Sequence, residues 1–94
     1  MNLIVKWRRM FNIEISNPAK RFLKKCESDL YERLMQEIRS LALNPFPQDV
    51  VRVKGRKEKI FRVRKGDYRI QYMVIYEKNL LFVTDVDKRP RAYD

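Results

Sequence analysis

The sequence predicts an α+β domain in which an N-terminal strand and an antiparallel helical hairpin pack on an antiparallel β-sheet. One observation is the alternation of Phe11, Ile13 and Ile15 with Asn12, Glu14 and Ser16, the period-two pattern of a half-buried strand. Another is a pair of apolar stripes at helical spacing, Ala19 to Cys26 and Tyr31 to Ala42. The last is a change to period two after Phe46-Pro47 that persists almost to the C-terminus. Helices grouped ahead of strands, with short connections, favour an antiparallel sheet covered on one face.

Each element has its own signal. Asn17-Pro18 reads as an N-cap followed by proline at the first helical position. Ala19, Phe22, Leu23 and Cys26 then fall on one face, opposite Lys20, Arg21, Lys24 and Lys25, with Cys26 expected as a buried small apolar residue. The pattern restarts at Ser28-Asp29, where Asp29 and Glu32 have capping-box spacing, and Tyr31, Leu34, Met35, Ile38, Leu41 and Ala42 form the second stripe. Asn44-Pro45 ends it. Strands are expected at Val51 to Val53, Ile60 to Arg64, Tyr68 to Tyr76 and Leu80 to Val86.

Gly66-Asp67 is a two-residue hairpin signal and sets a register: Lys65 opposes Tyr68, Arg64 opposes Arg69, Val63 opposes Ile70 and Arg62 opposes Gln71. One face then carries Arg62, Arg64, Arg69 and Gln71, and the other turns Phe61, Val63, Ile70 and Tyr72 to the core. Tyr68, Tyr72 and Tyr76 are expected as hairpin and core aromatics rather than a platform for stacked bases.

Ninety-four residues suffice for one core, so residues 1–10 are expected as a short basic extension and residues 11–94 as a single domain. Histidine is absent and Cys26 is the single cysteine, which excludes zinc sites of the familiar kind and Ser-His-Asp or Cys-His catalysis. Gly55 and Gly66 are the only glycines, so there is no Gly-rich phosphate loop. No apolar run nears the roughly 20 residues of a membrane helix, and Leu3-Ile4-Val5 is too short for a secretion signal. A cytoplasmic protein is expected.

Charge narrows the partner. The net charge is +10, and between Arg52 and Arg69 nine basic residues face only Glu58 and Asp67. Because this charge sits in strand-like sequence and not on an amphipathic helix, nucleic acid is favoured over a membrane surface. Three guanidiniums on one rigid face can clamp a phosphodiester and stabilise the negative charge that builds on it during attack. The bland alternative is a solvated polar face with no partner.

Three strings carry a family resemblance: Val53-Lys54-Gly55; Ile60-Phe61-Arg62-Val63-Arg64-Lys65-Gly66-Asp67-Tyr68-Arg69-Ile70-Gln71-Tyr72; and Asp87-Lys88-Arg89-Pro90-Arg91-Ala92-Tyr93. With Ile13-Glu14-Ile15-Ser16 and Phe22-Leu23-Lys24-Lys25 ahead of them, residues 11–93 resemble the RelE/ParE toxin superfamily, and its RelE branch in particular. The resemblance implies a cytoplasmic toxin of a type II toxin-antitoxin system, a ribosome-dependent endoribonuclease that cuts mRNA in the A site by attack of a ribose 2′-hydroxyl on the adjacent phosphate. It implies no metal or cofactor. Its partners would be the ribosome with its rRNA, the mRNA, and a RelB-like antitoxin, in a heterodimer or a dimer of heterodimers.

Carried over by position, the resemblance assigns catalytic roles to Arg62, Arg64, Arg69, Arg89 and Tyr93. Lys54, Arg56, Lys57, Lys59, Lys65, Lys88 and Arg91 are expected to touch RNA. The best-known members carry lysines at the positions of Arg62 and Arg64, and arginine does not deprotonate in a protein, so neither is the general base. Tyr93 is then the leading group for moving the proton, with Lys65 and Lys88 behind it and Arg89 supplying a cationic field. Met73 and Ile75 beside Arg69 and Gln71 make a mixed apolar and basic surface suited to an amphipathic antitoxin segment. Two other readings stay open: a ParE-like inhibitor of DNA gyrase, and a noncatalytic RNA-binding module or degenerate toxin.

Overall fold

The computed structural model describes residues 10–88. Strand β1 (Asn12–Ile15) leads into helix α1 (Asn17–Lys25), and a two-residue link joins this to helix α2 (Ser28–Leu43). Strands β2 (Val51–Arg52), β3 (Phe61–Lys65), β4 (Tyr68–Ile75) and β5 (Leu80–Lys88) follow. They form a five-stranded sheet of order β1-β5-β4-β3-β2. All neighbours are antiparallel except β1 and β5, which run parallel, a pairing the helical hairpin makes possible by returning the chain to the sheet after β1.

The core lies between the helices and one face of the sheet. Ala19 and Leu23 of α1 and Leu34, Ile38 and Leu41 of α2 are buried against Val63, Ile70, Tyr72, Leu81, Val83 and Val86. Of the three tyrosines expected as hairpin and core aromatics, Tyr72 is fully buried, Tyr68 is half-buried with its ring edge-on to Phe22 at 6.0 Å, and Tyr76 is 65% exposed. Tyr76 escapes the sheet because the chain leaves strand geometry there for a 3-10 turn, Tyr76–Lys78. Cys26 is also only half-buried, since it ends α1 and its thiol donates back to the Leu23 carbonyl (3.2 Å).

The caps differ from those read in the sequence. Ser16, not Asn17, caps α1: its Oγ accepts from the Ala19 N–H (3.2 Å) while its hydroxyl donates to the Thr84 carbonyl (2.7 Å). A serine able to serve both helix and sheet is the better cap here. Helix α2 begins at Ser28, after Glu27, without a side-chain cap; Asp29 falls inside the first turn, where its charge favours the helix dipole.

The β3–β4 pairing has the register set by the turn, from Phe61 opposite Tyr72 to Lys65 opposite Tyr68. Gly66 has φ +62° while Asp67 does not have positive φ, the pattern of a type II′ hairpin. Between β4 and β5 the register slips by one residue: Tyr72 opposes Val83 but Gln71 opposes Asp85, leaving Thr84 as a bulge. Beyond it the faces invert, so Val86 enters the core while Asp85 and Asp87 join the arginine face. The Ser16–Thr84 bond and the Ser16 N–H to Val83 carbonyl bond (2.9 Å) pin the bulge from β1.

Candidate nucleic-acid interface

The face of the sheet away from the helices is a grid set by register. One transverse row reads Arg64, Arg69, Asp87, and the next reads Val51, Arg62, Gln71, Asp85. Neighbouring strands lie about 4.8 Å apart, so the three arginines share one patch. Arg62 and Arg69 are half-buried and Arg64 is exposed. The register thus unites Arg62, Arg64 and Arg69 on one side of the molecule.

Arg69 is held by a partner that sequence reasoning missed. Its Nε and Nη2 each donate at 3.0 Å to the two carboxylate oxygens of Asp87. This bidentate pair fixes the plane of the guanidinium and leaves the remaining Nη hydrogens for an incoming anion. It also offsets the repulsion of Arg64 and Arg69 across the strands. The signal for Asp87 was the Asp-Val-Asp alternation in β5, but a strand without the bulge would have turned both aspartates to the core.

Arg62 and Arg64, with Val51 and Asp49, line an open cavity of about 310 Å³. Asp49 belongs to the connection from α2 to β2, and this segment is tied down at several points. The Tyr72 hydroxyl donates to the Pro45 carbonyl, Phe46 packs edge-on against Phe61 at 5.1 Å, and the Val50 N–H donates to the Pro47 carbonyl (3.1 Å). Burial, with the charges of Asp49 and Glu37 behind it, pushes the Tyr72 phenol well above its ordinary value, so it stays protonated as a donor.

The other expected residues are spread wider. Lys54, Arg56, Lys57 and Lys59 lie on the turn between β2 and β3, all exposed as Arg52 is, and Arg52, Lys54 and Arg56 border a hollow of about 360 Å³. Lys65 faces the helices and approaches Glu37 of α2 at 3.9 Å, and Lys88, opposite Tyr68, borders a helix-side groove of about 550 Å³ with Phe22, Lys25, Leu30 and Arg33. Neither lysine therefore shares the face of Arg62, Arg64 and Arg69. Arg89, Arg91 and Tyr93 lie outside the described residues. The helix-side groove is the larger cavity, yet apolar side chains make up much of its wall and it holds none of the clustered arginines. Among the described residues no three His, Cys, Asp or Glu side chains converge as metal ligands, and no helix is long and apolar enough to cross a membrane.

Comparison with known proteins agrees with this fold. The family described as ParE toxin of type II toxin-antitoxin system, parDE, matches residues 13–93. The chain is 31% identical over 86 residues to the RelE1 protein of Methanocaldococcus jannaschii, covering 88% of this chain and 94% of that one. Among solved structures, the fold is similar to the archaeal RelE–RelB complex of Pyrococcus horikoshii (TM-score 0.74, 23% identity, 88% of this chain and 99% of that chain). It is also similar to the isolated RelE toxin of E. coli (TM-score 0.73, 23% identity, 86% of each chain). The RelBE2 toxin-antitoxin complex of Mycobacterium tuberculosis is a further match (TM-score 0.73, 21% identity, 85% of this chain and 92% of that chain). The chain belongs to the RelE/ParE superfamily and is a RelE-type toxin of a type II toxin-antitoxin system.

Proposed function

We propose that this toxin is a ribosome-dependent endoribonuclease that cleaves mRNA in the A site and so stops translation in the cytoplasm. The observation that supports it most is the register that puts Arg62, Arg64 and Arg69 on one face of the sheet, with Arg62 and Arg64 bordering a cavity. Such an array stabilises the charge of a phosphorane formed by 2′-hydroxyl attack, while ribosome and codon supply the alignment. In this reading Arg89 joins the arginines and Tyr93 moves a proton. Lys54, Arg56, Lys57, Lys59 and Arg91 contact RNA backbone, and Lys65 and Lys88 meet rRNA from the helix side.

A RelB-like antitoxin is the proposed restraint. The relatives from Pyrococcus horikoshii and Mycobacterium tuberculosis were crystallised as complexes with such partners. Here the half of the sheet face beyond the arginines presents Met73, Ile75, Leu80 and Phe82, all half-buried, as an apolar strip continuous with the basic patch. An amphipathic acidic segment lying along both would cover the site.

The match to the ParE family gives gyrase inhibition a specific claim as the second reading. Primer-extension mapping of a defined mRNA in a translating extract, with wild type, with Arg89→Ala/Tyr93→Phe, and with ribosomes omitted, separates the two. Ribosome-dependent cuts at A-site codons, lost in the variant, are expected. Intact mRNA together with inhibited gyrase supercoiling would overturn the ribonuclease reading.

A further inference from the structure

Arginine in place of lysine at positions 62 and 64 leaves a ribonuclease of this kind without a base among the cations of its arginine face, and the cavity beside those arginines holds another group. We propose that Asp49 is the general base that takes the proton from the attacking 2′-hydroxyl; this rests on the endoribonuclease reading.

Position comes first. Strand β2 pairs with β3 as Val51 opposite Arg62, and the Val53 N–H to Ile60 carbonyl bond (2.8 Å) keeps the same register. Asp49 lies in the turn that ends just ahead of β2, two residues before the Val51–Arg62 pair. Asp49, Arg62 and Arg64 border one cavity of about 310 Å³, within the size range of small-ligand sites.

Availability comes second. Among the described residues Asp49 makes no hydrogen bond or ion pair, whereas Asp87 engages Arg69 with both oxygens. Asp49 and the two arginines line a common space, and no ion pair among the described residues closes it. An ionised carboxylate accepts and does not donate, as the role requires. Its loop is anchored through Pro45, Phe46 and Val50, so the carboxylate is held on a fixed support.

In the proposed step, Asp49 takes the 2′-hydroxyl proton as the 2′-oxygen forms its bond to phosphorus; the bond from phosphorus to the 5′-oxygen breaks, and that oxygen leaves with the electron pair. It accepts a proton from Tyr93, the proton-moving group of the proposed function, whose phenolic hydroxyl is a donor. Solvent then restores both groups. The products are a 2′,3′-cyclic phosphate and a 5′-hydroxyl end.

The test is single-turnover cleavage on programmed ribosomes by wild type, Asp49→Asn, Asp49→Glu, and Asp49→Ala with and without added formate, with Glu77→Gln as an exposed control for loss of one negative charge. Asp49→Asn is expected to lose about 10²- to 10⁴-fold in cleavage rate. Its half-saturating toxin concentration should stay the same or fall, since a negative charge beside the phosphate is gone. Asp49→Glu should recover part of the rate, and formate should restore part of the Asp49→Ala rate. An Asp49→Asn variant cutting at the wild-type rate would overturn the assignment, as would an Asp49→Ala rate unmoved by formate. If wild type itself does not cut, the ribonuclease reading fails and takes the proposal with it.

Discussion

Arg64 and Arg69 face each other across paired strands, a placement that costs energy unless something answers the charge. Asp87 answers it on one side only, and Arg64 has no ion pair among the described residues. Asp87→Asn should cost less than about 1 kcal/mol of stability, because the pair is partly exposed, and thermal melts of the variant measure it. Arg69→Ala should lower the cleavage rate by about 10²- to 10³-fold with little change in melting temperature, if the guanidinium stabilises the phosphorane. At Thr84 the buried Oγ1 has no hydrogen-bond partner among the described residues. Replacing it with the isosteric, apolar valine should raise stability by about 1 kcal/mol in a denaturant titration, since an unsatisfied buried hydroxyl is removed and the β-branched shape kept.

Among the elements, the β3–β4 hairpin was legible because its information is local. Gly66-Asp67 fixes the turn, and period two does the rest. Gly66→Ala tests that reading: at φ +62° any Cβ strains the backbone although open space surrounds it, so a loss of about 1–2 kcal/mol is expected in chemical denaturation. The β4–β5 register was not legible, since Thr84 is an ordinary strand residue and its bulge is set by Ser16, distant in sequence. With the bulge went the knowledge that Asp87 reaches Arg69. The parallel pairing of β1 with β5 was hidden for the same reason, being a tertiary choice rather than a local pattern. Asp49 lay in a segment with turn-like sequence, and only the packing of Pro45 and Phe46 on the sheet brings it beside Arg62 and Arg64.

At the scale of the whole molecule, the helices cover one face of the sheet and the other is left to the arginines and the apolar strip. Charge is distributed to match, with thirteen of the twenty-two basic residues in the chain from Val50 onward. In the proposed function, binding to ribosomes should therefore weaken with salt. Changing Lys54, Arg56, Lys57 and Lys59 together to alanine should flatten the log–log salt dependence by about 0.7 for each single-strand phosphate no longer neutralised, measured by ribosome association across a salt series. The fold should survive, because none of the four side chains belongs to the core.

In the proposed mechanism the arginine face acts on the transition state of RNA cleavage rather than on binding alone. Single-turnover cleavage of an A-site mRNA by wild type and Arg64→Ala, with the product ends identified, decides the matter. Expected are 2′,3′-cyclic phosphate and 5′-hydroxyl ends and a loss of about 10²- to 10³-fold in rate at saturating Arg64→Ala. Cleavage by Arg64→Ala at the wild-type rate, or products bearing 5′-phosphate, would refute that mechanism.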